Sequence, residues 1–383
     1  MKEVYLDYAA TTPVDPRVAD VMNACLRLDG NFANPSSSHQ YGKEAHAIIE
    51  KARKEVARKI ISDPNRIYFT SGATESNNIA IKGIVKKGDH IITSLTEHKA
   101  VLDTVNFLEK NGIDVTYLKC DSKGIIDPLE VKKHIKNSTR LVSIMHVNNE
   151  IGVEQDIREI AKYCNESEVL FHVDAAQSAG KVLLNLKDWN IDLASITAHK
   201  CYGPKGIGAI YVKEGIRVNG LFHGGDQEHG LRPGTLPTHQ IAGMGKAYEL
   251  LNVKEESKRL KKIKNKLWEG LNKISEIRLN GDLEKSSPHV LNITFLGVEG
   301  ESLRLAISDI AISAGSACNS ESTESSHVLS ILGLSETLAN SSIRFSFGRF
   351  TKFSEIDYVI ERIKFEVNRL RSIMGKTPKW CRS

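Results

Sequence analysis

Cysteine is scarce in this chain of 383 residues: there are six, at positions 25, 120, 164, 201, 318 and 381, with no CxxC pair and no close Cys/His spacing of the zinc type. That argues against a disulfide framework and against a structural metal, and for free thiols in a reducing compartment. An excess of one charge is missing too. Lysine and arginine number 52 against 47 acidic residues, a net +5, and the two signs are interspersed, as in EKARKEVARK. Without basic blocks, nucleic acid is not an expected direct partner. No apolar run reaches the about 18 residues that a membrane span requires, so no membrane is expected either. The start, MKEVYLDYAATT, has no basic stretch followed by an apolar one. No signal or transit peptide is therefore expected, and a cytoplasmic location is.

What is present suits a soluble globular protein: 40% hydrophobic and 26% charged residues. The length exceeds the size at which one core stops growing, which favours two domains. From about residue 40 to about residue 250, short apolar runs alternate with amphipathic helical segments such as HAIIEKARKEVARKII. RIYFT, HIITSL, DVTYL, RLVSIMHV, VLFHVDA, DLASIT and GAIYV read as strands, most followed by a helix or a turn. That alternation predicts an α/β fold: a large domain, residues 16–253, built on a mainly parallel seven-stranded sheet covered on both faces. After the charged helix KEESKRLKKIKNKLWEGLNKI the pattern changes to HVLNITF, SLRLAI, SIRFSFG and a last helix, EIDYVIERIKFEVNRLRSI. Residues 254–383, joined by 1–15, are expected to form a smaller α+β domain. There is no internal repeat and no low-complexity linker.

Ligands of parallel α/β sheets lie beyond the carboxyl ends of the strands, so the residues just after each apolar run matter most. SGATESNN, after RIYFT, places small residues ahead of a helical segment and reads either as an anion-binding helix start or as ordinary capping. His98 lies in a strand-to-helix turn, TEHKAV, where a solvated histidine is the plain alternative. NNEIG supplies Asn148 and Asn149, amides that bind a substrate or make a turn. Asp174 ends an apolar strand, where a carboxylate needs a cation or several donors unless it is a helix cap. Lys200 lies between His199 and the tight turn GPKGIG; a lysine near apolar strand ends is a potential neutral nucleophile that forms Schiff bases. A strand-end Asp and a strand-end Lys are the pair a pyridoxal phosphate site needs.

One cysteine stands apart. Cys318 sits in SAGSACNSESTESS, residues 313 to 326, which is too polar to bury a thiol and too rich in Ser and Gly to be stiff. An exposed, mobile thiol is expected there, either incidental or a reagent.

SGATESNN, TEHKAV, MHVNNEIGV, HVDAAQSAGK, AHKCYGPKGIG, GLRPGTLPTHQ, SAGSAC and SSIRFSFGRF stand in the order and spacing of the cysteine desulfurases. By these motifs the chain resembles that class V branch of the pyridoxal phosphate aminotransferases, from YLDYAATTP to SEIDYVI. The resemblance implies fold type I, pyridoxal 5'-phosphate as cofactor, L-cysteine as substrate and a homodimer. It implies that Lys200 carries the cofactor, that Asp174 pairs with the pyridinium nitrogen, that Gln177 bonds the ring hydroxyl oxygen, and that His98 stacks on the ring and assists proton transfer. Ala73, Thr74, Thr197 and His199 would hold the phosphate, with Thr235 of the partner subunit. Asn149 and Arg344 would bind the substrate, Arg344 as a two-pronged clamp on its carboxylate. Cys318 would take the sulfur as a persulfide and pass it to an iron–sulfur scaffold protein or to other acceptors, among them those of tRNA thiolation, touching a nascent cluster only in passing. No metal of the protein's own is implied.

The chain departs from many relatives at Ser325, where they have proline, and it ends at KTPKWCRS, soon after the last helix. Cys201 reads as a packed small residue, and HGGDQEH, with His223 and His229, as a dimer-contact loop and not a metal site. The alternatives are a selenocysteine lyase or another class V enzyme of the same fold, and a non-catalytic partner-binding subunit. Simple aminotransfer has no use for Cys318, and a degenerate subunit has no need of Lys200.

Overall fold

The computed structural model describes residues 3–313 and 325–374. Cys318 and Cys381 lie outside the described residues, as does the C-terminal KTPKWCRS.

A brief β1 (Val4–Tyr5) leads to α1 (Pro16–Ala24) and the long α2 (Gln40–Lys59). Asp15 caps α1 by accepting from the Arg17 backbone N–H, and Pro16 stands where a missing N–H costs nothing. The strand–helix alternation follows as β2 (Ile67–Thr70), α3 (Ala73–Lys82), β3 (His90–Ser94), α4 (Lys99–Lys110), β4 (Asp114–Leu118), α5 (Pro128–His134), β5 (Thr139–Met145), α6 (Ile157–Glu166), β6 (Leu170–Asp174), β7 (Leu193–Thr197) and β8 (Gly208–Val212). These seven strands, β2 to β8, form one sheet in the order β2-β8-β7-β6-β5-β3-β4. Only β8 runs against its neighbours. The 198–207 link between β7 and β8 is too short for a parallel crossover, so the chain returns antiparallel.

Strands β3, β7 and β8 are buried along their whole length, which requires cover on both faces. The cover follows the two-residue period: Ile92, Val142 and Ala209 join the cluster built with Ile49 and Val56 of α2 and Ile160 of α6. Their neighbours Ile91, Leu141 and Ile210 join the opposite cluster, with Ile79 and Ile81 of α3 and Val101 and Val105 of α4. Each such side chain contributes roughly 1.5–3 kcal/mol on burial, which makes this sandwich the main source of stability for the site it carries.

Beyond α7 (Thr238–Glu249) and α8 (Val253–Leu271) come β9 (Ile277–Asn280), β10 (Val290–Phe295), α9 (Gly300–Ala306), β11 (Ile310–Ala311), α10 (His327–Ile331), α11 (Glu336–Asn340), β12 (Ser342–Ser346) and α12 (Phe353–Met374). Strands β12, β10 and β9 make an antiparallel sheet in that order. A separate buried cluster joins Leu260, Ile263 and Leu267 of α8, Ile293 and Phe345 of the sheet, and Ile356, Val359, Ile363 and Val367 of α12, which recur at helical spacing. Val4 and Leu6 belong to this cluster, and β1 pairs parallel with β11, Val4 opposite Ile310. Among the described residues no helix is long and apolar enough to cross a membrane.

Candidate active site

The carboxyl ends of the sheet strands open onto a cavity of about 460 Å³. Ala73, Thr74, His98, Asn149, Asp174, Gln177, Thr197, His199 and Lys200 all line it, contributed by five separate strand-end segments.

At one end the cavity meets the start of α3. Gly72 occupies the N-cap with φ 155° and ψ 178°, a region open only to glycine, and no side chain caps the helix. The first residue of β8, Gly208, lies so near that a Cβ there would meet the Gly72 Cα at 2.7 Å. Two glycines thus bring strand and helix start together and leave the first helical N–H groups, at Ala73 and Thr74, facing the cavity without a side-chain acceptor. Thr197 and His199 stand beside this end. Burial first, then Lys200, Lys205 and Lys181, push the His199 imidazole down to about 4, so it is neutral. Its Nδ1 lies 3.2 Å from Thr11 Oγ1, and its carbonyl accepts from the Thr12 backbone N–H at 2.9 Å and from the Thr12 hydroxyl at 2.8 Å.

At the other end lies Asp174, the last residue of β6 and only 4% exposed. Its Oδ2 accepts from the Asn77 amide at 2.7 Å and its Oδ1 from the Ala176 backbone N–H at 2.9 Å. Both of these donors are neutral, so a cationic group in the cavity would add to what holds this buried carboxylate. The cap-like bond to Ala176 exists, but no α-helix starts at Asp174. Asn77 is a cavity residue that the sequence reading passed over. Its signal was present: four residues after Ala73, it falls on the buried face of the same helix.

His98 caps α4, its Nδ1 accepting from the Ala100 backbone N–H at 3.0 Å. Because Nδ1 accepts, the ring proton of the neutral form is on Nε2. Burial lowers the pKa of His98, the Lys200 charge lowers it further, and Asp174 opposes both. Gln177 donates to the Ala9 carbonyl at 2.8 Å, with its Oε1 3.4 Å from His289 Nε2, which leaves a second amide hydrogen.

Two of the expected site residues, Arg344 and Thr235, do not line this cavity. Arg344, on β12, sits behind Asn149 and not on the cavity wall, and its guanidinium is engaged by Asp7 Oδ1 and the Asn149 carbonyl. Thr235 is exposed and does not line the cavity of its own chain. Cys318 lies outside the described residues.

Cys201, directly after Lys200, is fully buried; its thiol donates to the Ala179 carbonyl at 3.0 Å and is pushed up to about 11, mainly by burial. In HGGDQEH, Glu228 and His229 both adopt left-handed backbone, and Glu228 turns inward to meet Arg53 at 2.8 Å and the Phe69 backbone N–H at 2.6 Å. His229 packs edge-on against Tyr68, and no group of metal-ligating side chains occurs among the described residues.

The profile of the aminotransferase class-V family matches residues 4–359. The chain belongs to that family and, within it, to the cysteine desulfurases. It is 53% identical over 386 aligned positions to the cysteine desulfurase IscS of Enterobacter sp. (strain 638), spanning 98% of this chain and 95% of that protein. It is 52% identical, with the same coverage, to the IscS of Vibrio cholerae serotype O1 (strain M66-2). Among solved structures, a NifS-like protein superposes with a TM-score of 0.89 at 36% identity, covering 96% of this chain and all (100%) of that one. SspA in complex with cysteine superposes at 0.81 with 40% identity, covering 91% and 100%.

The family depends on pyridoxal 5'-phosphate, and the cavity fits that group. An uncapped helix start suits the phosphate dianion, and a buried carboxylate that accepts from Asn77 and Ala176 suits a protonated ring nitrogen. Lys200 lines the same cavity.

Proposed function

We propose that the protein is a cysteine desulfurase that converts L-cysteine to L-alanine and transfers the sulfur to Cys318 as a persulfide, for delivery to acceptors that assemble iron–sulfur clusters. The observation that carries this reading is the convergence of Lys200, His98 and Asp174 on one cavity, in a chain whose relatives are named for that activity.

Lys200 would hold the cofactor covalently, Asp174 its ring nitrogen, Gln177 its ring hydroxyl through the free amide hydrogen, and Ala73, Thr74, Thr197 and His199 its phosphate. When bound, pyridoxal phosphate supplies an electron sink that acidifies the substrate Cα–H and loosens the Cβ–S bond. Asp174 stays an acceptor in this arrangement, because Asn77 and Ala176 both present it with N–H groups. His98 cannot take a proton on Nδ1 without giving up the Ala100 N–H, so it works through the Nε2–H, as a donor and as a flat surface against the ring. The amine of Lys200, which lines the same cavity, would be the base for the α-proton.

The sulfur step needs a thiolate that attacks sulfur. Cys318 forms the new S–S bond, the Cβ–S bond of the substrate breaks, and its electron pair stays with the three-carbon fragment, which is protonated and leaves as alanine. Asn149 and Arg344 would orient the substrate amino acid, Arg344 through its carboxylate.

A homodimer belongs to this reading: Thr235, exposed and away from its own cavity, would complete the phosphate site of the neighbouring subunit. So do a division into a large domain, 16–253, and a small one, 1–15 with 254–383, supported by the separate buried clusters, and a cytoplasmic protein that hands sulfur to an iron–sulfur scaffold. Incubation of the purified holoenzyme with L-cysteine, with alanine quantified and the added sulfur located by peptide mass, tests the reading. Stoichiometric alanine and one extra sulfur on the Cys318 peptide are expected; no alanine, or sulfur lodged on another cysteine, would sink it.

A further inference from the structure

The N-terminal segment reaches across the chain to the substrate side of the site. Asp7 forms an isolated parallel bridge with Ser346 at the end of β12, and the Ser346 backbone N–H donates to the Leu6 carbonyl at 2.7 Å. The Asp7 carbonyl accepts from the Tyr5 hydroxyl at 3.1 Å and from the Ala10 backbone N–H at 3.1 Å. These contacts fix Asp7 beside Arg344, two residues earlier on the same strand.

Arg344 is 2% exposed. One hydrogen on Nη2 goes to Asp7 Oδ1 at 2.8 Å, and one on Nη1 goes to the Asn149 carbonyl at 2.9 Å. The same Asp7 oxygen accepts from the Ser313 hydroxyl at 2.8 Å. A guanidinium has five N–H bonds, and Nε, buried here, finds no acceptor among the described residues. A buried donor without a partner is costly, and in a binding residue that cost is removed by the ligand. The two bonds already made fix the plane of the guanidinium, and Nε–H is the donor left over for a carboxylate.

We propose that Asp7 is the positioning residue of the substrate-carboxylate site: together with the Asn149 carbonyl it holds the Arg344 guanidinium in one plane, leaving Nε–H for the carboxylate of the amino-acid substrate. The proposal rests on the reading of Arg344 as the carboxylate residue. A flexible arginine would have to lose its rotamer freedom on each binding event, whereas one tied at two hydrogens has lost it beforehand. Asp7 does not touch the substrate in this arrangement and acts only through Arg344.

The test compares Asp7→Asn, Asp7→Glu, Arg344→Gln and the double variant Asp7→Asn/Arg344→Gln as holoenzymes. Steady-state kinetics with L-cysteine is read beside equilibrium binding of L-alanine, which has the carboxylate but no sulfur. Asp7→Asn is expected to raise KM for cysteine and Kd for alanine on the order of tenfold, with kcat moving less. Asp7→Glu is expected to recover part of that loss, and the double variant to match Arg344→Gln alone, because both changes act on one interaction. Asp7→Asn values within about twofold of wild type, or additive losses in the double variant, would overturn the proposal. So would equal losses in the Asn and Glu variants accompanied by a lowered thermal midpoint, which would mark Asp7 as structural only. If Arg344→Gln leaves KM and Kd unchanged, the carboxylate reading of Arg344 is what has failed, and the role of Asp7 falls with it.

Discussion

Asn77 donates its side-chain amide to Asp174 at 2.7 Å from the same helix whose first residues, Ala73 and Thr74, face the opposite end of the cavity. One helix therefore addresses both ends of the cavity, with about one turn between its uncapped start and the amide that bonds Asp174.

Asn77→Ala removes one of the two donors to a buried acid. The variant should keep the visible absorbance of the loaded protein but lose on the order of tenfold in kcat, because Asp174 loses orientation and a hydrogen bond worth about 1.5–3 kcal/mol to its charged form. Turnover and absorbance on one preparation check this; unchanged kcat would make the Asn77 bond a packing detail.

Lys200→Ala and Cys318→Ala should separate cofactor from sulfur chemistry. The first is expected to abolish the visible absorbance of the native protein. The second should keep the absorbance and still bind cysteine, but form no persulfide. Normal cysteine turnover by Cys318→Ala would show the thiol to be incidental.

The Arg53–Glu228 pair, with side chains 11% and 2% exposed, anchors the HGGDQEH stretch to β2. Removing one partner leaves the other charge buried, so Glu228→Gln should lower unfolding free energy by about 3 kcal/mol, read by denaturant titration. A change under about 0.5 kcal/mol would place the pair on the solvated surface in energetic terms.

Mild acid should destabilise the protein through a buried histidine. His172 bridges the hydroxyls of Ser143 and Ser195 at 2.8 and 2.9 Å, and burial pushes its pKa down to about 4. Its folded value lies below the unfolded one, so its contribution is complete above about pH 6.5 and is lost as pH falls toward 4. Between pH 7 and pH 5 this one group should cost ~2 kcal/mol of stability. Denaturant unfolding at the two pH values, with His172→Gln as control, reads it; an equal acid sensitivity in the variant would assign the loss to other groups.

Much of this was legible in the sequence because strand and helix periods differ. RIYFT through GAIYV mark seven strands, and the chemistry follows their ends, so the sequence alone pairs Asp174 with Lys200. The single reversed strand, β8, was implicit in a link too short for a crossover. What escaped were partnerships across long sequence distance. Nothing in NNEIG or YLDYAATTP says that the carbonyl of Asn149 and the carboxylate of Asp7 meet on Arg344, since register between separate sheets is set by packing and not by local pattern. Glu228 was missed for the same reason: a glycine-rich loop gives no periodicity from which to infer an inward acid.

The bond from Arg344 to Asp7 spans 337 positions, as does the bond from the Ala9 N–H to the Ser346 hydroxyl. During synthesis the first ten residues leave the ribosome with no partner strand in existence, and they wait until nearly the whole chain has followed. The sheet of β2 to β8 can assemble meanwhile from contacts closer in sequence. The pairing of Asp7 with Arg344 is thus among the last parts of the molecule to be completed, and a chain stopped short of β12 would hold Asp174 and Lys200 but not the arginine proposed to receive the amino acid.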